Sequence, residues 1–135
     1  MTEVAEHWNV AATLAAISQL RAVPRKPGER FGGVAVDASL RLGAARFVEA
    51  LHTHYRRDVA PPRIEATIDG GVALRWRRTI VGRTEPVEIE IVFGHSEIEY
   101  AVTSIGHDGG EFIDEGAVRE APDLLREVVK RYFVA

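Results

Sequence analysis

Cysteine is absent from all 135 residues, which excludes a disulfide framework, a thiolate metal site and a cysteine nucleophile. A basic surplus is missing as well. The formal net charge is −3, whereas a dedicated nucleic-acid binder carries an excess of Lys and Arg. No run approaches the roughly 18 consecutive apolar residues of a membrane span. Glu3 and Glu6 stand where a secretory leader would carry basic residues before an apolar stretch. A cytoplasmic protein with no membrane partner is the expectation.

Catalytic patterns are also lacking. The pairs Gly32-Gly33, Gly70-Gly71 and Gly109-Gly110 belong to no phosphate-cradling motif. Ser18, Ser39, Ser96 and Ser104 have no G-x-S-x-G context. His52 and His54, two apart on a helix, point to different faces, whereas a helical ligand pair needs i and i+4. His95 and His107-Asp108 fall in loops. Asp108, Glu111, Asp114 and Glu115 surround a glycine pair without calcium-loop spacing, and read as an acidic surface loop. The sequence thus points to no catalytic, cofactor-binding or metal-ligating residue, no cofactor, and a protein that is not an enzyme.

What is present suits one globular domain. Hydrophobic residues make up 46% and charged residues 27%, ordinary values for a folded protein. At this length about two-thirds of the unfolded surface can be buried, enough for one core. Residues 4–22 read as a helix whose apolar positions (Val4, Trp8, Ala11, Ala12, Ala15, Ile17, with Leu14 and Leu20) spread wider than one packing contact requires. Its second side is expected to meet another helix or a partner, with Trp8 and Ala12 as contact candidates. Residues 24–36 hold two prolines and three glycines and form a connector, with Phe31 and Val34 expected to pin it to the core. Arg21, Arg25, Lys26 and Arg30 make that loop modestly basic.

Asp37 is a good N-cap. Leu40, Ala44, Phe47, Val48, Leu51 and Tyr55 then repeat with helical period, and Arg56 and Arg57 suit the negative end of the dipole. Pro61-Pro62 forbids continuation. From Arg63 the period switches to two: Ile64, Ala66 and Ile68 alternate with Arg63, Glu65 and Thr67. Asp69-Gly70 supplies two positive-φ positions for a tight turn, and Leu74 and Trp76 resume the pattern. A second hairpin alternates Val87, Ile89, Ile91 and Phe93 with Glu88 and Glu90, then Ile98, Tyr100 and Val102 with Glu97 and Glu99. Phe112 and Ile113 offer a short fifth strand. Pro122 and Asp123 open a last helix with Leu125, Val128, Val129 and Tyr132 as its stripe.

The expected fold class is α+β: an antiparallel meander of four or five strands with three helices, two N-terminal and one C-terminal, on one face. Residues 1–135 form a single domain, with 1–36 as N-terminal helix and loop and 37–135 as helix-meander-helix core. The other sheet face carries charge, and if strands two and three pair antiparallel, Arg75 and Arg77 face Glu88 and Glu90.

The hairpin at 61–76 and the strand Val87-Glu88-Ile89-Glu90-Ile91 also resemble an uncharacterised group of small bacterial proteins. That group shows a Pro-x-Ile-x-x-Thr-x-Asp-Gly-Gly-Val-x-Leu-x-Trp hairpin, matched here by Pro62, Ile64, Thr67, Asp69-Gly70-Gly71, Leu74 and Trp76, before a Leu-Glu-Ile-Glu-Ile strand. Residues 30 to 130 take part. Arg30-Phe31-Gly32-Gly33 replaces the group's Asn-Trp-Asp-Gly element, and Arg75 replaces its usual Glu. The resemblance implies the fold and a bacterial cytoplasmic origin; the group has no established activity.

Two functional expectations remain. The first is a non-enzymatic protein-interaction module, a homodimer or a small accessory partner of another bacterial protein. The broad first helix and the open sheet suggest it. Its candidate contacts are Trp8, Ala12, Phe31, Arg75, Arg77, Glu88 and Glu90. The second is a small-ligand or nucleic-acid binding module using the loop from Arg25 and Lys26 to Gly33 with the charged sheet face; the net charge disfavours nucleic acid.

Overall fold

The computed structural model describes residues 8–56, 59–80, 82, 84–106 and 109–133. Expectations that fall on Val4, Arg57, His107 and Asp108 lie outside these residues. Helix α1 (Val10–Ser18) is shorter than the apolar pattern over 4–22 implies. Asn9 caps it by accepting from the Ala12 amide at 3.2 Å, and its C-terminal carbonyls are held from outside. Arg41 Nη1 donates to Ile17 O and Ser18 O, each at 2.8 Å. A guanidinium at that end satisfies orphan acceptors and complements the dipole.

Helix α2 (Ala38–Tyr55) follows its periodicity, burying Ala44, Phe47, Val48 and Leu51. Asp37 accepts from the Ser39 and Leu40 amides at 2.8 and 3.2 Å. The Ser39 hydroxyl and those amides hold its carboxyl below the ordinary value of 3.8. A depressed folded pKa contributes stability above the unfolded value and loses it as pH falls through the folded one. Asparagine also caps helices but does not titrate. Asp37→Asn should therefore flatten the loss of stability below pH ~4, seen as a smaller drop in urea midpoint between neutral and acid pH than in the parent.

Five strands form one antiparallel sheet in the order of the chain: β1 (Arg63–Ala66), β2 (Val72–Arg78), β3 (Val87–Phe93), β4 (Ile98–Gly106) and β5 (Gly109–Val118). The fifth strand is ten residues long, not short. The β1–β2 turn differs from the expected tight form. Only Gly70 has positive φ (+85°), and Asp69 does not. Gly70 N donates to Thr67 O and Thr67 N to Gly71 O, both at 3.1 Å. This is a three-residue loop with a glycine in the left-handed position. The Thr67 hydroxyl selects it, receiving the Gly71 amide at 2.8 Å and donating to Asp69 Oδ1 at 2.5 Å. Ile68 consequently sits at the loop tip, 60% exposed, rather than facing the helices.

The connector after α1 is anchored by backbone, not by the apolar side chains expected to pin it. Gly33 N donates to Val23 O at 2.7 Å, Val34 N to Ile68 O and Asp37 N to Gly70 O, both at 2.9 Å. Phe31 and Val34 stay outside, 73% and 61% exposed. The third helix, α3 (121–132), starts as α-helix over Ala121–Leu124, widens to π-helix over Leu125–Val129 and returns to α over Lys130–Tyr132. The wide turn shifts its phase, so Leu124, Val128, Val129 and Phe133 are fully buried while Leu125 and Tyr132 are partly so. Burial pushes the Tyr132 phenol up to about 12, helped by Asp114, whose Oδ2 accepts from it at 2.6 Å. That bond fastens α3 to β5. The core lies between the helices and Val72, Leu74, Trp76, Val87, Ile89, Ile91, Phe93 and Val102 of the sheet.

Candidate interaction surface on the open sheet face

The helices pack on one face of the sheet, and strand register places the residues of the other. One row runs across all five strands as Arg63, Arg75, Glu90, Ala101 and Glu115. A flanking row reads Arg77, Glu88, Thr103, Phe112, and the opposite one Glu65, Ala73, Val92, Glu99, Ala117. The expected juxtaposition of Arg75 and Arg77 with Glu90 and Glu88 is therefore present.

Arg75 is satisfied inside the chain. Its Nε donates to Glu90 Oε2 at 2.6 Å and its Nη1 to Glu65 Oε2 at 2.9 Å, with Glu88 at 3.9 Å. Partial burial alone would lower the guanidinium's pKa, but Glu90, Glu65 and Glu88 outweigh that and raise it. The same glutamates offset the placing of Arg75 directly opposite Arg63; Glu88 lies 3.7 Å from Arg63. Half-exposed ion pairs of this kind contribute roughly 0–1 kcal/mol each, so the network chiefly fixes side-chain positions. The side chains of Arg77, Glu99 and Glu115 form no hydrogen bond or ion pair among the described residues.

Beside this network the face is hollow. Glu90, Glu99 and Glu115 rim a shallow concavity of about 590 Å³ whose floor includes Val92, Ala101 and Ala117, with Phe112 at one end. Phe112 is 67% exposed and lines the same concavity as Val92, Ala101 and Ala117, so exposed apolar groups are grouped here rather than scattered singly. Phe112 and Glu115 share this face because of a bulge. Thr103 pairs with Phe112 while Val102 pairs with Asp114, leaving Ile113 as the extra residue. Period-two reading fails across such an insertion, which is why Phe112 did not stand out and why Glu111, Asp114 and Glu115, expected in an acidic surface loop, instead lie in strand β5. The consecutive Phe112-Ile113 pair was the only available signal.

The remaining candidates do not converge on this surface. Trp8 is a correction: it lies in the core at 5% exposure, its indole donating to Thr13 Oγ1 at 2.8 Å and meeting the His52 ring edge-on at 5.1 Å. It cannot serve as an exposed contact. Ala12 is exposed on α1 with Ala11, Ala15 and Ala16, a face of small side chains. Arg25 and Lys26 line a hollow of about 470 Å³ built from residues 25–30 alone, and Arg30 lies 5.4 Å from the Phe31 ring centre. These loop residues share no hydrogen bond or ion pair with the Arg75 network among the described residues. His, Asp and Glu side chains form no group of three suited to a metal ion there either.

Fold and surface together define a two-layer α+β protein with one sheet face uncovered. Comparisons with protein-family models, with curated proteins and with solved structures gave no match. No helix among the described residues is long and apolar enough to cross a membrane.

Proposed function

We propose that the protein is a non-enzymatic interaction module of the bacterial cytoplasm, a homodimer or a small accessory partner of another protein, and that its open sheet face is the docking surface. The observation that carries this reading is the exposed Phe112 ring at the end of a concavity with an apolar floor. Covering it removes apolar area from water at roughly 25 cal/mol per Å², while Glu99 and Glu115 remain available for cationic groups of the partner. Binding of polyanions by this face is the weaker reading. Glu65, Glu88, Glu90, Glu99 and Glu115 outnumber Arg63, Arg75 and Arg77 across it.

Light scattering during size exclusion tests the homodimer. The parent should run with twice the monomer mass at high micromolar concentration, and Phe112→Glu should run as a monomer with an unchanged circular dichroism spectrum. A parent that stays monomeric removes the homodimer. Retention of one defined cellular protein by the parent, lost with Phe112→Glu, would then identify the accessory role.

A further inference from the structure

The geometry points to a binding site for a small organic anion in a groove away from the open sheet face. The ligand class is one carboxylate or phosphate group on a flat apolar body. The groove encloses about 350 Å³ where the start of α2, the β3–β4 turn and the β5–α3 connection meet. That volume falls in the range of small-molecule pockets.

Its lining divides into an apolar floor and a cationic wall. Leu40, Phe93 and Ile98 supply the floor. Leu40, Gly43 and Arg46 recur at helical spacing along one side of α2. Phe93 is itself 3% exposed and forms the bottom of the groove beneath Gly43, where an added Cβ would meet its ring at 3.5 Å. Arg46 and Arg119 stand over this floor from separate elements. Neither side chain makes a hydrogen bond or ion pair with any described residue. This contrasts with Arg41, Arg75 and Arg131, each of which donates to carbonyls or carboxylates of the chain. The His95 ring is tied to Asp69 O at 2.9 Å, and the two arginines carry the fixed positive charge of the lining. Glu97 is the one acidic residue of the lining and repels an anion, a single negative charge set against the two guanidinium groups. Planar forks of five donors suit both anions bidentately.

The site does not depend on the interaction reading, and its residues are not those of the open face. Titration of uniformly 15N-labelled protein with phenyl phosphate and, separately, benzoate tests it by NMR. Saturable shifts confined to Gly43, Phe93, Gly94, Ile98 and Arg119 are expected, and the tighter of the two probes assigns the anion. Arg46→Gln and Arg119→Gln should each weaken binding about tenfold, the loss of one charge-assisted contact. Gly43→Leu, which fills the floor, should abolish it. Both arginines are exposed, so these variants keep the fold. Three results overturn the proposal: shifts that never saturate or scatter over the surface, arginine variants that bind as tightly as the parent, or inorganic phosphate binding as tightly as phenyl phosphate.

Discussion

Truncation of Phe133 to alanine is expected to destabilise the protein by about 3–5 kcal/mol, a large share of the roughly 5–15 kcal/mol that holds a domain folded. The ring is fully buried and meets Trp76 edge-on at 4.9 Å. Arg78 lies over it, 5.2 Å from its centre, and Arg78 Nη2 also donates to the Phe133 carbonyl at 2.9 Å. Removing the ring thus opens a cavity and strips the packing from a guanidinium at once. Urea unfolding followed by tryptophan fluorescence measures the effect. A loss below ~1 kcal/mol would mean that α3 contributes little to the cooperative unit.

The second large effect is expected at Gly70. Alanine there would hold a left-handed conformation (φ +85°) and place its Cβ 2.6 Å from the Ala35 carbonyl oxygen. Backbone strain and overpacking together should cost about 2–5 kcal/mol. Gly28 is the internal control, with φ +86° and nothing within 4 Å of an added Cβ. Gly28→Ala carries the conformational strain alone, about 1–2 kcal/mol. The difference between the two variants therefore reads the contact between the connector and the hairpin turn. Equal costs in thermal or urea unfolding would show that this contact adds no stability.

Much of the fold was legible because its determinants are local. Asp37, the repeat from Leu40 to Tyr55 and Pro61-Pro62 delimit α2 within a few residues of the sequence. Strict alternation from Val87 to Phe93 and from Ile98 to Val102 yields two central strands, their register and the Arg75–Glu90 and Arg77–Glu88 neighbours. Departures arose where a distant or single side chain decides the outcome. Thr67 selects the turn through its hydroxyl, Ile113 breaks the alternation of β5, and the π-helical turn moves Phe133 inward in place of Tyr132. The connector is held by carbonyl and amide groups, which leave no trace in composition.

The candidate surfaces were less legible than the fold. Arg75, Arg77, Glu88 and Glu90 were placed correctly on one face, yet Arg75 proves engaged within the chain. Among the described residues, the side chains of this face without a hydrogen bond or ion pair include Arg77, Glu99 and Glu115, beside the exposed Phe112. Arg46 and Arg119 stand 73 positions apart in the sequence. Only the packing of α2 against the end of the sheet brings them to one groove, so no motif could announce them. Trp8 misled because an aromatic on a broad apolar segment reads the same whether it faces a partner or its own core. Thr13 and His52, its actual neighbours, come from the next turn of chain and from another helix.

The bulge at Ile113 has a consequence for behaviour in a crowded solution. An outermost strand with a regular run of unpaired amides and carbonyls is a template on which identical chains add without end, as in fibrils. In β5 the extra residue puts the two halves of that run out of step, and Glu111, Asp114 and Glu115 add repulsion between copies. At the far side β1 is only four residues long and follows two prolines. Sideways polymerisation is thus discouraged at both margins, and a sheet can keep one face bare without seeding aggregates.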